Sequence, residues 1–104
     1  MDYYYLKRND SIQLIDIVFL EALENYTLFY LSNGSKIISS STLKRHQEKL
    51  PENSFVRINR SMMINTRHIR KIFCKNDTNF IRMKNGRDLK VSRRRRDTLD
   101  LIAS

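Results

Sequence analysis

A single cysteine, Cys74, rules out an internal disulfide and a cysteine-built zinc site, and it suits a chain working in a reducing compartment, the cytoplasm. Two glycines and one proline in 104 residues are too few for a long flexible linker. No window approaches the roughly 18 apolar residues of a membrane span, and the N-terminal MDYYYLKRND lacks the apolar stretch of a signal peptide. His46 and His68 stand far apart, outside any His-Glu-x-x-His pattern, and no glycine-rich loop exists to cradle a nucleotide phosphate. Nothing around Ser39 to Ser41 resembles a nucleophile elbow. No catalytic set, cofactor or metal is therefore expected. Cys74 itself lies in an apolar run, where a packed core thiol is the expectation.

Acidic residues are also in short supply. Twenty Lys and Arg stand against eleven Asp and Glu, a formal charge of +9 that favours a polyanionic partner such as nucleic acid or an anionic membrane. The imbalance is local: Arg57 to Arg96 holds fourteen basic and two acidic residues, whereas the preceding 56 residues hold six and seven. A chain of this length fits one domain, residues 1–104, and buries only about two-thirds of its unfolded-state surface. We expect a core over about 12–104, with residues 1–11 as an N-terminal strand or extension.

What the chain does have is a series of short runs rich in aromatic and β-branched residues: Tyr3 to Lys7, Ile17 to Leu23, Tyr26 to Leu31, Lys36 to Ser39, Phe55 to Ile58, His68 to Cys74, Phe80 to Met83 and Leu89 to Val91. Asn33-Gly34 and Asn85-Gly86 separate such runs and predict two tight hairpins, since Asn-Gly tolerates positive φ. In the second, a two-residue loop would place Met83 opposite Asp88. A three-residue loop or bulge that sets Met83 against Leu89 and Ile81 against Val91 is expected instead, with Arg82 and Lys84 outward. Two segments read as helices, Leu43 to Leu50, stopped by Pro51, and Arg93 to about Ala103. Thr42 and Ser92 are the expected N-caps. Both helices would then carry cations in their first turn, against the helix dipole. A bound phosphate would relieve that conflict, although a solvated basic face is the alternative.

The run FVRINRSMMIN, Phe55 to Asn65, mixes apolar residues with Arg57, Asn59, Arg60, Ser61 and Asn65. Arginine pairs with guanine O6 and N7, asparagine with adenine, and serine suits phosphate. Arg57 could equally pair with an internal acid such as Asp16 or Glu21. With DIVFLEALENYTLFYLSNG, the Thr42-Leu43 helix entry, LPENSFVRINRSMMINTRHIRKI and the closing NGRDLKVSRR, the chain resembles the LytTR family of bacterial DNA-binding domains over about nine-tenths of its length.

The resemblance implies packed antiparallel β-sheets with hairpins, one short internal helix and a C-terminal helix, not a helix-turn-helix. It implies loops inserted into successive major grooves of double-stranded DNA for transcriptional regulation. Carried onto this sequence, base reading falls to Asn25, Arg60 and Arg93. Thr42, Lys44, Ser61, Ser92, Arg94 and Arg96 would hold the DNA backbone, with Tyr26, Arg45 and Asn59 as further candidates. Asn59 stands where the family commonly has histidine, and Met62-Met63 where an aromatic is frequent. Such domains often bind paired repeats as two copies and often follow a receiver domain in two-component response regulators. This chain would be a stand-alone regulator or such an output domain. Two other readings fit the same residues: an RNA-binding module stacking bases on Tyr26 and Tyr30, and a basic protein- or lipid-interaction module using Arg93 to Arg96.

Overall fold

Residues 3–7 and 10–103 are described by a computed structural model; positions 1–2, 8–9 and 104 of the expected 1–104 unit lie outside them. The strands are β1 (Tyr3–Lys7), β2 (Asp10–Gln13), β3 (Ile17–Leu23), β4 (Tyr26–Leu31), β5 (Lys36–Ser39), β6 (Phe55–Asn59), β7 (Met62–Asn65), β8 (Ile69–Lys75), β9 (Thr78–Met83) and β10 (Asp88–Val91); eight of them arise from the β-rich runs, while β2 and β7 lie outside those runs. Helix α1 spans Leu43–Lys49 and α2 spans Asp97–Ala103. The mainly β architecture with a short internal and a C-terminal helix is the one expected. All strand pairs are antiparallel: a central sheet of order β5-β4-β3-β7-β6, a three-stranded sheet β10-β9-β8 and the hairpin β1-β2.

The central sheet is covered on both faces. On one side Tyr4 and Ile12 of the β1-β2 hairpin and Leu43 and Leu50 at α1 pack on Ile17, Leu20, Phe29, Phe55 and Met63. On the other, Ile81, Met83, Leu89 and Val91 of the three-stranded sheet pack on Val18, Phe19, Ile58 and Ile64, with Leu99 and Ile102 of α2 alongside. This explains the sequence patterns. Strand β3 is buried without interruption from Ile17 to Leu20 because both its faces are covered, whereas β10 alternates exposed and buried because only one is.

Both Asn-Gly segments close the same three-residue loop. Gly34 and Gly86 take φ of 89° and 93°, and each glycine N–H donates back to the residue three before it, Leu31 or Met83. The Asn33 and Asn85 side chains accept from the N–H groups of Ser35 and Arg87. The expected three-residue loop is thus present, but Ile81 faces Leu89, not Val91. The loop Lys84 to Gly86 closes on Met83 and Arg87, which moves the register by two. An even shift keeps every side chain on its face, so the apolar set is unchanged. A third turn, Asn76-Asp77, has positive φ at both residues and joins β8 to β9.

Other departures have local causes. The run Phe55 to Asn65 is a hairpin of two strands, folded at Arg60-Ser61, so Met62–Asn65 is a strand of its own. Cys74 is exposed, because β8 is an edge strand whose outer half reaches past the core. Thr42 caps α1, its Oγ1 accepting from the Arg45 N–H at 3.4 Å. Ser92 makes no side-chain cap: Arg93–Arg95 form a 3₁₀ turn and α2 begins at Asp97. Asp97 and Asp100 occupy its first turn, so its dipole is complemented by acids and the expected conflict with the arginines does not arise.

Buried His46 fastens α1 to the sheet. The Tyr4 hydroxyl bonds its Nδ1 at 2.5 Å and the Ser39 hydroxyl its Nε2 at 2.9 Å, and burial, helped by Lys49, pushes its pKa down to about 4. The folded state therefore holds a neutral ring. Stability from this residue is complete above about pH 6.5 and is lost as the pH falls toward 4, because the unfolded chain takes up the proton first. Denaturant titrations at pH 7 and pH 5 should show a loss on the order of 1 kcal/mol per pH unit that is absent from His46→Asn. Phe29, fully buried and packed against the rings of Tyr4 and His46, tests the same layer. Phe29→Ala should cost about 3–5 kcal/mol, read as a lower urea midpoint.

Candidate nucleic-acid interface

Antiparallel order brings the end of β3, the start of β4, the ends of β5 and β6 and the start of β7 to one end of the central sheet. The Glu24-Asn25 turn, the entry to α1 and the Arg60-Ser61 turn consequently lie together. Two bonds tie them: the Ala22 N–H donates to the Ser61 carbonyl at 2.8 Å, and the Thr27 hydroxyl donates to the Ser41 carbonyl at 2.8 Å. The third basic segment joins from the other sheet. The Ser92 N–H donates to the Ile58 carbonyl at 2.9 Å, and the Asn59 Nδ2 donates to the Lys90 carbonyl at 2.7 Å.

Asn59 is occupied at both ends of its amide. Its Oδ1 accepts from the Ser61 N–H at 2.8 Å and from the Ser61 hydroxyl at 3.2 Å, which leaves it shaping the turn that presents Arg60. Arg57 braces the same turn. Its Nε donates to the Asn59 carbonyl at 3.2 Å, one terminal nitrogen to Gln47 Oε1 at 2.9 Å, and the other to the Arg60 carbonyl. The acids expected as its partners are engaged elsewhere, Asp16 with Ser32 and Glu21 with Tyr30. Burial and the neighbouring charge of Arg95 lower the Arg57 pKa.

The other candidates surround this frame, Thr42 as the α1 cap and Ser61 through its hydroxyl bond to Asn59. Asn25, Tyr26, Thr42, Lys44, Arg45, Arg60, Arg93, Arg94 and Arg96 are exposed, while Ser61, Ser92 and Arg95 are half-buried. A hollow of about 270 Å³ is lined by Asp77, Thr78, Lys90, Ser92, Arg93 and Arg96. A neighbouring one of about 410 Å³ runs between Arg60, Ser61, Arg87, Lys90 and Ser92. Arg87 and Lys90 were not among the sequence candidates. Lys90 carries a usable signal, as the polar residue between buried Leu89 and Val91. Arg87 carries none, for its guanidinium is placed by tertiary contacts, 5.5 Å from the Phe19 ring centre and 5.4 Å from that of Tyr30. The acid in the second hollow, Asp88, is paired with Arg82 at 2.7 Å.

Tyr30 is not available as a stacking platform. Its ring lies on Phe19 at 4.1 Å, its hydroxyl donates to Glu21 at 2.8 Å, and burial together with that carboxylate raises its pKa. Among the described residues no cluster of His, Cys, Asp or Glu could hold a metal, and no helix is long and apolar enough to cross a membrane.

Basic loops gathered at one end of a β-sheet make a module for binding a polyanion. The family model for the LytTr DNA-binding domain matches residues 7–103, and the chain belongs to this family of DNA-binding domains, which is not a family of enzymes. Among solved structures, the LytTr DNA-binding domain of a methyl-accepting/DNA response regulator from Bacillus cereus is similar over 100% of this chain and 98% of that one, with a TM-score of 0.83 at 23% identity. At that identity the likeness speaks for the fold. No curated protein matches the chain.

Arg57 offers a test of the frame. Arg57→Ala leaves the Asn59 and Arg60 carbonyls without their guanidinium partner and should lower stability by about 1–3 kcal/mol. Arg57→Lys should recover little of this, since one ammonium cannot reproduce a planar fork with three acceptors. Urea denaturation of the three proteins gives the comparison.

Proposed function

We propose that this chain binds double-stranded DNA sequence-specifically in transcriptional regulation, with its loops entering successive major grooves. The observation that carries this reading is the convergence of three separate segments, Glu24-Asn25, Arg60-Ser61 and Ser92 to Arg96, on one basic end of the fold. In it Asn25, Arg60 and Arg93 read base edges, and Thr42, Lys44, Ser61, Ser92, Arg94 and Arg96 fix the backbone. Arg45 and Tyr26 lie close enough in sequence to join them. Asn59 acts through the turn it shapes.

The chain acts in the cytoplasm, as a stand-alone regulator or as the output domain of a response regulator whose receiver lies outside these residues. Two copies occupy paired repeats. The charge supports a strongly salt-dependent affinity, with log K falling by about 0.9 per log unit of salt for each phosphate neutralised.

Selection of bound sites from random duplexes, followed by titration of variants, tests this reading. Arg60→Ala and Arg93→Ala should each lose about 1–3 kcal/mol at the selected site and relax its base preference. Lys44→Ala should weaken all sequences alike and reduce the salt slope by about one phosphate. Unchanged preference and affinity in Arg60→Ala would remove the central assignment.

A further inference from the structure

The tip of the β3-β4 hairpin differs in chemistry from the other loops at this end. It carries no cation: Leu23, Glu24, Asn25 and Tyr26 make the turn. Leu23 and Tyr26 are directly paired across it and are 46% and 49% exposed, although both have large apolar bodies. Glu24 holds φ of 54°, a conformation that costs a non-glycine residue energy and is retained where surrounding structure enforces it. The tip Leu23 to Tyr26 is anchored by the residue before it and the residue after it, Ala22 bonded to Ser61 and Thr27 to Ser41. An acidic, partly apolar tip is repelled by phosphates. It is compatible with base edges in a major groove, where the feature that takes an apolar contact is the 5-methyl group of thymine.

We infer that Leu23 and Tyr26 form an apolar contact for thymine methyl groups, so that the hairpin tip selects thymine while Arg60 and Arg93 select through hydrogen bonds. This inference rests on the DNA-reading function proposed above. Ile38, 61% exposed and opposite Leu28 on β5, is set back from the tip and serves as a control for general surface hydrophobicity.

Replacing thymines of the selected site one at a time by uracil removes only the methyl group. At one or two positions binding by the unaltered protein should weaken about fourfold, the effect of losing one buried methyl. In Leu23→Ala or Tyr26→Ala the thymine-to-uracil ratio at those positions should fall toward one, while Ile38→Ala keeps it. The uracil series needs no variant, so a folding defect cannot mask the result. If the protein selects a site yet is indifferent to uracil at every position, or if neither tip variant changes the ratio, the methyl contact is wrong and DNA reading stands. If the protein prefers no duplex at all, both fall.

Discussion

One side chain amide joins the two larger sheets where the basic loops meet. Asn59 spends its carbonyl oxygen on the Ser61 turn and its amino group on the Lys90 backbone, and the Ile58 carbonyl beside it receives the Ser92 N–H. Without this junction the Arg60 turn and the Ser92 to Arg96 segment would belong to separately packed layers. With it they share one frame. Ile58 and Val91 pack beneath, both in the same core cluster, and hold the two sheets together under these bonds.

The frame also lets like charges gather. Cations standing in solvent at roughly 0.15 M ionic strength repel one another only within about 8 Å, so exposed Arg93, Arg94 and Arg96 are tolerated. Arg57 is different, because it is half-buried and near Arg95. Its charge is accommodated by two backbone carbonyls and Gln47, not by an acid. A carboxylate there would neutralise the patch that the fold assembles. Helix α1 is held into the same frame through Gln47 on one side and through the bonds of His46 to Tyr4 and Ser39 on the other.

Much of this was legible in the residues. The β-rich runs, the Asn-Gly loops, the Thr42 cap and the stop at Pro51 are local signals, set by backbone sterics and side-chain reach within a few positions. The strand Met62–Asn65 was hidden inside a run whose polar residues read as one irregular segment. The start of α2 was misplaced because the arginine run also takes helical turns, as a 3₁₀ segment, before Asp97 supplies the α-helical first turn. Cys74 looked like a core residue because its neighbours are apolar, but the edge position of β8 is a property of the sheet.

By itself the sequence determined the β-rich class, the lopsided positive charge and the family resemblance that the family match bears out. It determined which segments present polar tips, since turn chemistry is local. Only the tertiary structure decided what those tips are for one another. Strand order brought Glu24-Asn25, Arg60-Ser61 and the α1 entry to one end, and packing of the second sheet brought Ser92 to Arg96 beside them. It turned Asn59 and Arg57 into supports, withdrew Tyr30 onto Phe19 and set Arg87 over both rings. The physical reason is range: a cap or a tight turn is settled within four or five residues, whereas Lys90, which Asn59 meets, and Phe19 and Tyr30, which Arg87 meets, stand tens of positions away and come together only after the sheets have paired.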